Sequence, residues 1–176
     1  MMIKELTVQI DSREQYPIQF PSNVYIEDPD HPRKQILVPV KTERVALKAG
    51  DYRLKEFPDV CIVERKASLL EVNKNMLNSE DNLRQCKAFM KLKEACLHPV
   101  LLMETSPWEM ASQSARRQVT DPDLVLYRLT KVIAHYGLEL FWAGRTTSVI
   151  NRRYLGQTLI YLMYCHGINE TNRNKE

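Results

Sequence analysis

The sequence has almost no net charge: 25 Lys and Arg stand against 22 Asp and Glu, leaving +3. Bulk charge therefore does not announce a polyanion binder, and any basic surface must come from local clustering. No run of about 18 apolar residues occurs, so no segment is long enough to span a membrane as a helix. The opening MMIKELTVQI is broken by Glu5 and Gln9, where a signal peptide needs an unbroken apolar region. Cysteine is sparse and scattered. Cys61, Cys86, Cys96 and Cys165 form no C-x-x-C pair, and each sits in an apolar context. Buried thiols in a reducing compartment are expected, not disulfides or a thiolate zinc site. There is no internal repeat and no low-complexity linker.

What is present suits one globular domain. The chain has 176 residues, 44% of them hydrophobic. Leu6–Ile10 alternates and reads as a strand ending in Asp11-Ser12-Arg13-Glu14. Residues 21–35 carry Pro21, Pro29 and Pro32 with mixed charge and read as a loop or exposed excursion. β-like character resumes over Ile36–Val45. Gly50–Leu54 and Val60–Lys66 flank a short turn and read as an antiparallel hairpin. Ser68-x-x-Glu71 is a capping box. A helix is expected over about Ser79–Leu97, with Leu83, Cys86, Phe89, Met90 and Leu97 on one side. Pro99–Met103 is nearly all apolar, as a strand buried on both faces should be. Asp121-Pro122 starts a helix and Gly137 stops it. Leu138–Ala143 reads as a last strand. Thr147–His166 reads as a long apolar helix closed by Gly167, with residues 168–176 a disordered tail. The order gives a single α/β domain over 1–167, with a central mixed β-sheet flanked by helices.

The chemistry concentrates in GDYRLKEFPDVCIVERKASLLE, residues 50–71. Along a strand, residues two apart share a face, about 6.7 Å from one another. Glu64 and Lys66 therefore project together and Arg65 opposite. In the hairpin, Asp51 comes from the partner strand. Two carboxylates beside one ammonium can hold a hard divalent cation through oxygen and orient a water. Such a set is what phosphodiester hydrolysis needs. A solvated strand end with a surface ion pair is the competing reading of E-x-K alone.

These residues resemble the XPF-type structure-specific endonuclease family. The carriers are Ile10-Asp11-Ser12-Arg13-Glu14, then Gly50-Asp51, Glu64-Arg65-Lys66, Gln85-Cys86, and the Pro99–Glu104 strand, in order over residues 5–145. The resemblance implies a restriction-endonuclease-like core and cleavage of branched or flapped DNA with Mg²⁺ or Mn²⁺, chemistry used in DNA repair and recombination. It makes Asp51 and Glu64 metal ligands with Asp11 assisting, Lys66 the catalytic lysine, and Arg13 and Arg65 supporting residues. Two departures stand out. The family acid expected four residues after the lysine is Leu70 here, with Glu71 one step on. After residue 145, Gly156 and Gly167 are isolated, so no tandem helix-hairpin-helix module is expected. The resemblance and size imply a short nuclease domain of phage or mobile-element type, acting inside a bacterial or phage-infected cell, in the cytoplasm.

Other residues carry two readings each. Arg84, Lys87 and Lys91 share a helix face, either solvated or contacting phosphates. Arg116-Arg117 lies in a polar segment and reads as a basic loop near DNA or a plain surface loop. Trp108 reads as a packing anchor or a base-stacking ring. His98, His135 and His166 read as helix-terminal residues without catalytic roles. The apolar last helix must pack in the core or against a second copy, and the family resemblance makes a homodimer the expected assembly.

Overall fold

The computed structural model describes residues 3–28, 31–112, 119, 121–145 and 148–174. Among these, seven strands form one mixed sheet: β1 (Leu6–Asp11), β2 (Asn23–Asp28), β3 (His31–Val45), β4 (Tyr52–Leu54), β5 (Cys61–Lys66), β6 (His98–Met103) and β7 (Glu139–Trp142). Their order across the sheet is β2-β3-β1-β4-β5-β6-β7. The pairs β1/β3, β5/β6 and β6/β7 are parallel; β2/β3, β1/β4 and β4/β5 are antiparallel. The described helices are α1 (Leu69–Leu77), α2 (Ser79–Ala95), α3 (Pro107–Ala111), α4 (Pro122–Tyr136) and α5 (Val149–Arg173).

The sheet divides the core into two layers. On one face Leu6, Val8, Tyr52, Leu54, Cys61 and Val63 pack against Leu155, Leu159, Ile160 and Met163 of α5. On the other, Ile62, Leu101 and Met103 pack against Val72 and Met76 of α1, Phe89 and Leu92 of α2, and Val125 and Leu129 of α4. β6 feeds both layers, Val100 and Leu102 to one and Leu101 and Met103 to the other. This is why its sequence is a continuous apolar run rather than an alternating one. The expected hairpin is present, with Tyr52 opposite Val63. The helix punctuation is also met: Asp121 Oδ1 accepts the Leu124 N–H at 2.9 Å, and Gly137 ends α4 at φ 66°.

Several expectations are corrected. The stretch read as a loop or exposed excursion carries strand instead: β2 pairs antiparallel with β3, with Val24 opposite Val38 and Ile26 opposite Ile36. β2 is an edge strand and buries only every second side chain, so its apolar signal is thin. On α2 the buried positions are Asp81, Gln85, Phe89 and Leu92, whereas Leu83 and Met90, with Leu97 beyond the helix end, are exposed. The polar Gln85 and Asp81 belong to the inward face, which displaced the apparent apolar stripe. Cys165 is exposed rather than buried. Trp108 is 83% exposed and anchors nothing. His98 begins β6 rather than ending a helix.

The last helix continues to Arg173, so residues 168–173 are helical and not a tail. Gly167 does not stop it, because that glycine is an interior contact. A Cβ there would run into the Phe57 ring. Gly156 is the same kind of contact: a Cβ would collide with the backbone carbonyl of Gln19. The apolar face of α5 is consumed by the chain's own core, so its composition does not call for a second copy. Val149, Ile150 and Tyr154, in and just after its first turn, remain exposed.

Candidate active site

The site is built where β1, β4 and β5 end side by side. Gly50 makes it possible. Its φ is 67°, and a Cβ would strike Ile62 and come within 3.0 Å of the Val63 carbonyl. The chain can thus turn against β5. The Asp51 N–H donates to Val63 O at 2.8 Å, and the Asp11 N–H donates to Asp51 O at 2.9 Å. The ends of three strands are stitched together through the Asp51 peptide.

The Asp51 carboxylate is held in turn. Its Oδ2 accepts the Arg65 N–H at 2.7 Å. Glu64 faces the same cleft. Burial, and then the charge of Glu64, push the Asp51 carboxyl up to about 7; the Arg65 N–H and Lys66 counter this only in part. Two carboxylates crowd one partly desolvated place.

Lys66 lies buried behind them. Its Nζ donates to Glu64 Oε1 at 2.8 Å and to Glu71 Oε1 at 3.3 Å. Burial alone would lower its pKa, but Glu64 and Glu71 outweigh it and the net direction is upward. The side chain is an ammonium at neutral pH. Gln85 Nε2 reaches Glu64 Oε1 at 3.4 Å and helps hold that carboxylate.

Glu71 has two tasks. The Glu71 N–H donates to Ser68 Oγ at 3.2 Å, and its Oε2 accepts the Ala67 N–H at 3.0 Å, so it caps α1. Its other oxygen holds Lys66. Leu70 is 53% exposed and does not line the cleft.

Asp11 is buried, and both carboxylate oxygens accept from the Arg13 guanidinium. Burial raises its pKa, but the Arg13 bonds more than compensate and the net shift is down. Asp11 is thus ionised and already partnered.

The cleft these groups line encloses about 550 Å³. Asp11, Glu14, Asp51 and Glu64 form its acidic part. Arg13, Lys48, Arg84, Lys87 and Lys91 ring it with positive charge. Arg84 pairs with Asp81. Among the described residues no carboxylate pairs with Lys48, Lys87 or Lys91. The helix stripe noted in the sequence therefore borders the acidic centre. Lys48 escaped sequence reading, although it lies two residues before Gly50 and its charge is unbalanced locally. Arg116 and Arg117 lie outside the described residues.

Arg65 belongs to the other face of the sheet. Its Nε donates to Glu104 Oε1 at 2.5 Å, and its Nη1 to Glu14 Oε1 at 3.2 Å and Tyr16 O at 3.0 Å. Arg152 of α5 approaches Glu104 at 3.9 Å. This network braces the segment that carries Asp11 and Arg13. Glu14 and Glu104 are the members sequence reading missed. Both stood within the stretches that carry the resemblance, but their pairing with Arg65 is supplied only by the fold.

The acidic set suits a hard divalent cation. Among the described residues, no hydrogen bond reaches Asp51 Oδ1 or Glu64 Oε2, while the other oxygen of each is fixed. Two like charges with one open oxygen apiece are what oxygen-ligated Mg²⁺ or Mn²⁺ would relieve.

No protein-family model matches the chain, and no curated protein matches it. Solved structures do. XPF from Aeropyrum pernix superposes with a TM-score of 0.52 at 18% identity, over 89% of this chain and 60% of that one. The same protein in complex with DNA gives a TM-score of 0.50 at 16% identity, over 95% of this chain and 66% of that one. The chain thus spans less than two thirds of the length of either solved protein. The mixed seven-stranded sheet with helices on both faces is the XPF fold.

Proposed function

We propose that the chain is a metal-dependent DNA endonuclease that hydrolyses phosphodiesters, with branched or flapped DNA as the substrate class. The observation that carries this reading is the pairing of Asp51 and Glu64 at the floor of a cleft, backed by the buried Lys66 ammonium and rimmed by unpaired lysines. The XPF fold, seen with DNA in Aeropyrum pernix, supports DNA as the polymer.

Asp51 and Glu64 would hold Mg²⁺ or Mn²⁺. When bound, the cation neutralises phosphate charge and lowers the pKa of a coordinated water. Lys66 fixes Glu64 and adds positive potential where charge develops on the phosphate. Arg13 keeps Asp11 ionised at the edge of the site. Arg65 braces the strand from behind. Lys48, Lys87 and Lys91 track the DNA backbone beyond the scissile bond.

Cleavage of labelled flap, fork, four-way and linear DNAs in Mg²⁺ or Mn²⁺ tests the proposal. Wild type is expected to cut a structured substrate, and Glu64→Ala and Lys66→Ala to lose cutting while still binding DNA. Leu70 in the family's acid position and the occupied Asp11 carboxylate favour a second reading, a DNA-binding scaffold that keeps the fold without the chemistry. DNA binding with no cleavage in either metal selects that reading.

A further inference from the structure

A second cluster of ligating side chains lies at the opposite end of the sheet. His98 stands at the start of β6, Glu139 at the start of β7, and His166 on α5. One ligand atom from each falls within 4.8 Å of the other two. His98 pairs across the sheet with Cys61, whereas Leu101 pairs with Glu64. The cluster is thus three strand positions, roughly 10 Å along β6, from the level of the acidic cleft.

We propose that His98, Glu139 and His166 form a binding site for a zinc-type divalent cation, independent of the nuclease centre. Three observations carry it. First, the two imidazoles address the two oxygens of one carboxylate: His98 Nδ1 lies 2.7 Å from Glu139 Oε1, and His166 Nε2 lies 3.1 Å from Glu139 Oε2. Ligand atoms around a tetrahedral Zn²⁺ sit roughly 3.3 Å apart, given metal–ligand bonds of about 2.0–2.2 Å. From 2.7 and 3.1 Å, these two contacts need to open by roughly 0.6 and 0.2 Å to admit the ion.

Second, the outer partners are in place. His98 Nε2, the nitrogen turned from the cluster, lies 3.3 Å from Glu170 Oε1, and Arg173 donates to that same oxygen at 2.6 Å. A ligating histidine that gives its other N–H to a carboxylate is the usual device for fixing tautomer and ring direction. The rings of His98 and His166 stack with centroids 3.9 Å apart, which keeps the two side chains together beside Glu139.

Third, the site is reachable. The side chains of His98 and His166 are 23% and 19% exposed, and that of Glu139 is 43% exposed. Three protein ligands with a solvent-facing fourth position fit water as the remaining ligand. Two imidazoles select Zn²⁺, Ni²⁺ or Cu²⁺ over Mg²⁺ and Ca²⁺. The ion would join β6, β7 and the last turns of α5.

The test uses the full chain in excess Mg²⁺, added to compete for the oxygen ligands of the acidic cleft. Zn²⁺ is added while melting is followed, and Co²⁺ is used as a coloured substitute. Wild type and Glu64→Gln are expected to bind one Zn²⁺ with equal affinity and to melt higher with it. Co²⁺ is expected to give visible absorption of a four-coordinate site, removed by Zn²⁺. Glu139→Gln and His166→Gln should lose the melting rise and the colour, and Glu170→Gln should bind about tenfold more weakly. Glu139→Gln alters a side chain that is largely at the surface, so it decides the matter if His166→Gln fails to fold. Wild type that neither melts higher nor colours overturns the site. So does Zn²⁺ uptake unchanged in Glu139→Gln, which would locate the ion elsewhere.

Discussion

Lys66 donates to Glu64 at 2.8 Å although the two residues sit only two positions apart on one strand, and Glu71 holds the same ammonium from the helix that follows. The lysine is therefore clamped, charged and 7% exposed along its side chain. Replacing it with methionine leaves two carboxylates facing an apolar stem. Cleavage should fall by about 10²–10³, the usual effect of deleting a group that stabilises developing charge. Urea unfolding should also show a loss on the order of 2 kcal/mol, because Glu64 loses its partner. Unchanged stability would mean that the clamp contributes nothing to the fold.

Asp51 makes the metal-free protein pH-sensitive. Its folded carboxyl titrates at about 7, far above its ordinary 3.8. Below pH 4 both folded and unfolded chains carry the proton, and there is no difference. Between pH 4 and 7 the folded state keeps a proton the unfolded state has released, so the contribution of Asp51 to stability falls as pH rises. Asp51→Asn escapes this cost. It should be more stable than wild type at pH 8 by on the order of 2 kcal/mol, with the gap closing toward pH 4. Mn²⁺ must displace that proton, so its melting shift in wild type should grow from pH 6 to pH 8 and vanish in Asp51→Asn. Thermal melts in EDTA and in Mn²⁺ across that range check both statements.

Arg65 stands in the middle of the motif but away from the cleft. Arg65→Met removes the guanidinium that joins Glu14 and Glu104, whose side chains are 15% and 5% exposed. Unfolding free energy should drop by about 3 kcal/mol, as for a broken buried pair. Arg65→Lys should recover only part, since one ammonium cannot reproduce the fork to Glu104, Glu14 and Tyr16. Denaturant titration separates the three proteins. A cleavage defect in Arg65→Lys with full stability would instead assign Arg65 to the chemistry.

Lys87 and Lys91 line the cleft and have no carboxylate partner among the described residues. Each should neutralise about one phosphate, so the Lys87→Ala, Lys91→Ala double variant should flatten the plot of log affinity against log salt by about 2. Affinity for different DNA sequences should weaken alike. An unchanged salt slope would leave this face merely solvated.

Much of this was legible in the sequence, and the reasons are specific. β5 and β6 announced themselves because one is a short apolar run before a charged end and the other is apolar throughout. Glu64 and Lys66 shared a face by period alone. The pairing of β2 with β3 was hidden because β2 buries only every second residue and three prolines punctuate positions 21–35. The inward face of α2 was misjudged because Gln85 and Asp81 occupy it, Gln85 reaching back to Glu64 and Asp81 pairing with Arg84. The Arg65 network could not be read at all, since its acids come from positions 14 and 104 and meet only across the sheet.

The hydrogen bonds that fix Asp51 to β5 have a consequence for how the motif can vary. Asp51 is tied to Val63 O and to the Arg65 N–H, not to any count of residues between the two halves. The turn after Leu54 can lengthen or shorten outside those ties. A slip of one residue within β5, however, would turn Glu64 and Lys66 into the α5 layer and present Arg65 to the cleft. What the motif conserves physically is parity. Insertions in the turn are tolerated at any length that keeps strand register, and a single-residue insertion between Val63 and Glu64 inverts the site.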